Sequence, residues 1–372
     1  MDVNSRSAKP ADLPADPKEG WDRFIEGLRT AVDRMDALTA DLDPLERADG
    51  FQVLARSLGV QLEAVEMDRA LPEPIPHNTW RTKFLMDNPD GRYWTFEVEP
   101  GGVYRISGCL GGAAYTAVNV YVQRERWHDT AEAASLHDRE MVVDPGGHFE
   151  IMLGGERNDC PNWLPLPADA RTVWLRQFYD DVHADAPGEF RVESLNHAGP
   201  PPIVVPARLA ERLAIGGKKL RSTTSAIRHA GEHELSRGNH IRTWSEMHSG
   251  AVFTSSDIWY QRGAWRLEPG QALVIEGSAI PSQFWNIVLY SRFLNSLEHR
   301  HRSVSLTGRK VTAASDGSFR LVLCADDPGV PNWLDTEGRR EGMFALRWVF
   351  PEREPPLPTA RVVDRDALVA EA

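Results

Sequence analysis

SLTGRKVTAASDGSFRLVLCADDPGVPNWL, running from Ser305 to Leu334, lies without a gap on SLHDREMVVDPGGHFEIMLGGERNDCPNWL, Ser135 to Leu164. Ser135/Ser305, Leu136/Leu306, Arg139/Arg309, Gly147/Gly317, Phe149/Phe319, Leu153/Leu323 and the PNWL tetrapeptide coincide at one constant offset. Upstream, with the offset shorter by one residue, EPGGVYRISG (Glu99 to Gly108) lies on EPGQALVIEG (Glu268 to Gly277) and Tyr121 on Tyr290. Downstream, with the offset one longer, Leu175 and Arg176 lie on Leu346 and Arg347. Colinear matches that drift only at loops mark an internal duplication. The period far exceeds the ~20–50 residues of solenoid repeats, so the repeated object is a domain.

Each copy reads as all-β. VYRISG, AVNVYV, HFEIML and TVWLRQFY alternate apolar and polar residues and are rich in Val, Ile, Tyr, Phe and Trp. Gly and Pro punctuate them, as in DPGG, SDGS and DPGVPNWL. Short strands with such turns predict two tandem jelly-roll or β-sandwich domains, mainly β, at residues 78–200 and 239–350. PNWL is expected to fold Trp163 and Trp333 over the open end of each core.

The rest reads as helical. Asp16 caps a helix entered through Pro17, with Trp21, Phe24, Ile25, Leu28, Val32, Met35 and Leu38 forming one apolar face. A second helix runs from Asp43-Pro44 to about Glu63, with Leu54, Leu58 and Leu62 inward, so that residues 1–70 form an N-terminal helical segment. Pro72, Pro74 and Pro76 stiffen the link to the first β domain. Residues 201–238 form a helical connector expected to break near Gly216-Gly217, and residues 351–372 an extended tail ending in a short helix.

Charge and composition exclude several classes. A formal net charge of −12 argues against nucleic acid as partner. No run approaches the ~18 apolar residues of a membrane span, so no membrane partner is expected. Three scattered cysteines and an N-terminus without an apolar signal predict a cytoplasmic protein with reduced thiols. Nucleophile-elbow, phosphate-loop, zinc-protease and dinucleotide fingerprints are absent, and no cofactor is expected.

FWNIVLYSRFLNSL, followed by DGSFRLVLCADDPGVPNWLDTEGRREGMFALRW, resembles the family called domain of unknown function 1214. NPDGRYWTFEVEPGGVYRISG looks like a diverged copy of the same unit, and the resemblance spans roughly Asn78 to Phe350. It implies tandem jelly rolls of the kind seen in viral double-jelly-roll capsid proteins, and a homo-oligomer. It carries no catalytic residues across.

Chemistry is sought where the copies differ. LEHRHRSVS (Leu297 to Ser305) has no Arg/His alternation in its counterpart around RWHDTAEAAS (Arg126 to Ser135). As a strand it would put His299 and His301 on one face and Arg300 and Arg302 on the other. Guanidinium groups bind carboxylate or phosphate bidentately, so Arg292, Arg300 and Arg302 are candidate contacts for an anionic substrate. The bland alternative is a charged edge strand. Glu298, with Glu246 or Asp257, would supply a carboxylate pair for glycoside hydrolysis, with His248 and His301 beside them. Trp259 and Trp285 are candidate sugar platforms. His229 and His233 with Glu232 and Glu234 lack a third ligand, and no metal is expected. Two functions follow: a hydrolase acting on a glycan or another small polar or anionic molecule, or a non-catalytic binding or assembly protein.

Overall fold

The structure of the protein is a computed structural model that describes residues 13–123, 130–157, 159–197, 199, 203–247 and 250–371. Three long helices form one layer. Helix α1 (Pro17–Leu38) begins where the Asp16 carboxylate accepts the backbone N–H groups of Lys18 and Glu19, and α2 (Pro44–Glu63) is capped the same way by Asp43. Helix α3 (Pro206–Leu235) runs unbroken through Gly216 and Gly217, where the sequence predicted a break. The glycines serve close approach instead. A Cβ on Gly27 would lie 2.3 Å from the Gly217 carbonyl oxygen, and one on Gly20 would lie 2.6 Å from the Ala210 Cα. Two parallel helices thus touch backbone to backbone.

That contact also decides which face of α1 is buried: Gly20, Phe24, Gly27, Ala31 and Met35. The predicted apolar stripe is turned aside, leaving Trp21 and Ile25 at 44% and 47% exposure. On α2, Leu54 is buried as expected, whereas Leu62 is exposed.

The β strands fall into two matching sets. The first comprises β1 (Ile75–Pro76), β2 (Gly91–Glu97), β3 (Tyr104–Cys109), β4 (Tyr115–Gln123), β5 (Thr130–His137), β6 (His148–Leu153), β7 (Trp163–Leu164), β8 (Ala170–Phe178) and β9 (Glu189–Ser194). The second comprises β10 (His240–Thr243), β11 (Ile258–Arg266), β12 (Gln271–Ser278), β13 (Phe284–Ser291), β14 (Ser305–Thr307), β15 (Ser318–Cys324), β16 (Trp333–Asp335), β17 (Glu341–Val349) and β18 (Thr359–Asp364). The five-stranded order β1-β2-β8-β4-β5 recurs as β10-β11-β17-β13-β14, and the four-stranded order β7-β6-β3-β9 as β16-β15-β12-β18. The chain is therefore mainly β, two sandwich halves with helices at the N-terminus and between them. The segment after Phe350 is not a free tail: β18 pairs with β12, and Leu368 beyond it is buried against its own sandwich.

Each sandwich encloses a core, around Phe96, Ile106, Val118, Ile151 and Leu175 in the first and Trp265, Ile275, Ile287, Leu321 and Leu346 in the second. PNWL has the same task in both. Its leucine enters the core, and its asparagine ties three backbone groups together. Asn162 accepts from Val142 N–H and donates to the Val142 and Glu150 carbonyls at 2.8 and 3.0 Å. Asn332 repeats this with Thr312 and Arg320. The tryptophans are only half-buried, each donating to a carbonyl at the end of the adjoining strand, that of Gly154 just past β6 or of Cys324 closing β15. The recurrence is thus carried by the Asn clamp more than by the indole.

The halves are joined by an exchange. The segment leading into the first half lies on the sheet of the second: the Arg347 guanidinium donates to the Met86 carbonyl at 2.7 Å, and the Tyr290 hydroxyl to that of Asp87 at 2.8 Å. The segment leading into the second half lies on the sheet of the first: Arg176 donates to the Phe253 carbonyl and Tyr121 to that of Thr254. Met86 and Phe253 both adopt positive φ, 58° and 60°. For a side chain of this size that costs about 1–2 kcal/mol, and here the buried bonds on either side hold it.

Two outcomes test this packing. Gly27→Ala raises helix propensity by about 1 kcal/mol, yet guanidinium denaturation should show a protein destabilised by about 1–3 kcal/mol through overpacking; a more stable variant would contradict the backbone contact. Asn162→Ala, which strands a backbone N–H and two carbonyls, should lose about 1–3 kcal/mol, and an unchanged denaturation midpoint would refute the clamp.

Candidate functional site

A cavity of about 330 Å³ opens where α2, the segment leading into the first half, the β13–β14 loop and the β16–β17 turn meet. Each element contributes charge. Helix α2 supplies Asp49 and Arg56, the leading segment Trp80, Arg81 and Lys83, the loop Asn295, Ser296, Glu298 and Arg300, and the turn Glu337 and Arg339. Asp87 fixes the geometry, since its buried carboxylate accepts the Ser296 N–H at 2.7 Å and hydroxyl at 2.6 Å, locking segment and loop together.

The charges divide into committed and uncommitted. Glu298 grips the Arg300 guanidinium at 2.6 and 2.8 Å and also accepts the Arg300 backbone N–H. Arg339 is held bidentately by Asp49 at 2.7 and 2.9 Å and also bonds Glu337. Among the described residues, Arg56 reaches only the neutral Asn295 side chain, at 3.3 Å. Lys83, 4% exposed, donates among the described residues only to the Ser296 and Leu297 carbonyls. Arg81 and Arg300 both lie over the half-exposed Trp80 ring, at 5.0 and 4.2 Å from its centroid. Burial lowers the pKa of Lys83, and the Arg56 guanidinium lowers it further. The hydrogen bond from Arg300 holds the Glu298 carboxyl at about 2, while burial, with Lys83 nearby, pushes the His299 imidazole down to about 4.

Of the residues singled out from sequence, Glu298 and Arg300 line this cleft. Residues 299–302 form a turn rather than a strand, so the alternation does not sort them onto two faces. The turn is closed by Glu298 accepting two residues ahead. His299 is half-buried, whereas His301 and Arg302 are exposed, and Arg302 pairs with Asp335. Arg292 is bound by Glu46 and Glu341.

The proposed carboxylate partners lie elsewhere. Glu246 is exposed and pairs with Arg242. Asp257 accepts the Tyr115 hydroxyl at 2.7 Å in the contact between the halves. The structure thus brings neither to Glu298. His248 lies outside the described residues, as do residues 124–129 of the counterpart stretch.

Neither tryptophan is a platform. Trp285 is buried, stacked on Trp348 at 4.7 Å and Phe319 at 5.2 Å, and Trp259 packs against the same core. On α3, His229 and His233 are exposed, while buried Glu234 is engaged by His240, Arg242 and Arg262. Among the described residues, no group of three or more His, Cys, Asp or Glu could hold a metal, and no helix is long and apolar enough to cross a membrane.

Sequence reasoning missed Arg56, Trp80, Arg81, Lys83 and Arg339. The first four lie outside the repeated segment in which differences between copies were sought. The one local signal was WRTK at Trp80 to Lys83, an indole followed by cations.

The site's charge states predict a loss of stability in acid with two windows. His299 is neutral in the fold, so its contribution is present above its ordinary 6.5 and lost as pH falls toward about 4. Glu298 is ionised in the fold; its contribution is present above 4.5 and lost as pH falls toward about 2. Urea midpoints followed against pH should flatten in the lower window for Glu298→Gln and in the upper for His299→Gln. Slopes equal to wild type in both would refute the assignment.

The fold and part of the sequence are shared with known proteins. The crystal structure of an uncharacterised protein from Burkholderia cenocepacia matches 94% of this chain and 97% of its own, with TM-score 0.87 and 25% identity. The VPA0106 protein from Vibrio parahaemolyticus matches 93% of this chain and 99% of its own, with TM-score 0.50 and 13% identity, a likeness of fold alone. None of the curated proteins matches this sequence. Residues 264–353, most of the second sandwich, match the family described as Protein of unknown function (DUF1214), where the resemblance in FWNIVLYSRFLNSL and PNWL had pointed.

Proposed function

We propose that the cleft between α2 and the β13–β14 loop binds a small anionic molecule, a carboxylate or a phosphate ester. One observation carries this reading. Arg56, Arg81 and Lys83 line the cleft without a carboxylate at ion-pair distance among the described residues, although the chain has a net charge of −12. Arg81 is exposed, but Arg56 is partly and Lys83 almost wholly withdrawn from water, and uncommitted cations so placed are costly unless something neutralises them. Burial lowers the pKa of Arg56 as it does that of Lys83. An anion seated among them would relieve that cost and gain charge-assisted hydrogen bonds. The volume, about 330 Å³, suits a small ligand.

Two-carboxylate hydrolysis, the other function raised by the sequence, is less well supported. It needs one carboxyl held protonated at working pH, and Arg300 holds Glu298 at about 2.

Calorimetric titration with inorganic phosphate, acetate and succinate tests the binding. Saturable heat is expected for at least one, weakened roughly 10–100-fold in Arg56→Gln by loss of about 1.5–3 kcal/mol. Arg302→Gln, outside the cleft, should bind as wild type does. No saturable binding, or equal affinity in Arg56→Gln, would overturn the reading. Turnover of chromogenic glycosides that vanishes in Glu298→Gln would favour the hydrolase.

A further inference from the structure

Lys83 sits where burial disfavours its charge and where two carbonyls can take both hydrogens of a neutral amine. It is 4% exposed yet borders the cleft. Its Nζ makes two hydrogen bonds, to the Ser296 carbonyl at 2.6 Å and the Leu297 carbonyl at 3.0 Å. Among the described residues no third acceptor is bonded to it. An ammonium carries three N–H groups and no lone pair. A neutral amine carries two, and the two carbonyls use both, leaving the lone pair unopposed. Asp87 favours the charge and Arg56 acts against it, with smaller support for it from Glu298 and Glu337. Burial is the largest influence and works against it. A lysine that is desolvated and beside another cation is the kind that enzymes use as a nucleophile toward carbonyl compounds.

We propose that Lys83 forms a reversible imine with the carbonyl carbon of a small oxo acid whose carboxylate is held by the arginines of the cleft, an assignment that rests on the anion-binding reading above. The Nζ lone pair attacks the carbonyl carbon. The two amine hydrogens pass to the carbonyl oxygen, which leaves as water, and a C=N bond replaces C=O. Nothing is oxidised or reduced, so no cofactor is required. The carbonyls that orient the amine belong to Ser296 and Leu297, held in place through Asp87, which links the site to the contact between the halves.

The chain contains only six lysines, so the site of reaction can be mapped directly. The full-length protein is incubated with pyruvate or glyoxylate and sodium cyanoborohydride, which supplies hydride to trap the imine as a secondary amine, and is then analysed by intact mass and peptide mapping. One reduced adduct at Lys83, suppressed by excess inorganic phosphate, is expected. Lys219, half-buried and in the field of Glu97, serves as internal control. Modification spread over Lys18 and Lys310, or none at all, would overturn the proposal without requiring any variant. In Lys83→Gln the adduct should disappear, and an undiminished adduct yield would also overturn the proposal. Phosphate binding without a Lys83 adduct sinks the imine and leaves the anion seat standing. A Lys83 adduct insensitive to phosphate and to Arg56→Gln supports the imine and sinks the anion seat.

Discussion

A guanidinium buried without a carboxylate must have its protons taken up by neutral oxygen, and that requirement fixes how this molecule is assembled. Arg347 is 4% exposed, and its nearest hydrogen-bond partners are the Tyr290 hydroxyl and the Met86 carbonyl, both at 2.7 Å. Arg176 stands in the same relation to Tyr121 and Phe253. In each case the carbonyl comes from the segment leading into the opposite half. Each sandwich thus draws a carbonyl acceptor for its buried arginine from the segment leading into the other, which ties the two halves together. The aromatic contact around them, with Tyr93, Trp174 and Tyr260, supplies the apolar area.

The cleft is a product of this exchange. Only because residues 77–90 cross onto the second sheet do Trp80, Arg81 and Lys83 meet the loop carrying Glu298 and Arg300. Helix α2 closes the other wall, close enough to the β13–β14 loop that a Cβ on Gly50 would lie 3.2 Å from the Phe293 ring. The corresponding segment of the second half, which also crosses, meets Glu132 through Ser256 and Tyr115 through Asp257. The duplication thus kept the crossing in both places. The cationic cleft lies at the crossing made by the segment leading into the first half.

Much of the architecture was legible before any coordinates. Repeated Gly, Phe and Leu at constant offset, with loops absorbing the drift, implied two like sandwiches, and the strand orders agree. The same method failed at the site for a definable reason. Comparing copies finds chemistry that arose inside the repeat, and so it noticed Glu298 and Arg300. It is blind to Arg56, on a helix that has no counterpart, and to Lys83, whose neighbours are backbone carbonyls rather than side chains. It also overvalued alternation in EHRHRS, because a two-residue period signals faces only when the backbone is extended, and here Glu298 closes a turn.

By itself, then, the sequence determined the duplicated β fold, the cap at Asp16, the start of α2 at Asp43-Pro44 and the absence of familiar cofactor motifs, since these depend on contacts between residues close in the chain or on patterns repeated along it. Tertiary structure alone decided which face of α1 is buried, why Gly216 and Gly217 do not break α3, and which cations lack an acidic partner. Those properties arise between residues far apart in the chain, such as Gly27 with Gly217 and Lys83 with Ser296. No local propensity encodes such pairs, because the free energy that selects them comes from desolvating both partners at once.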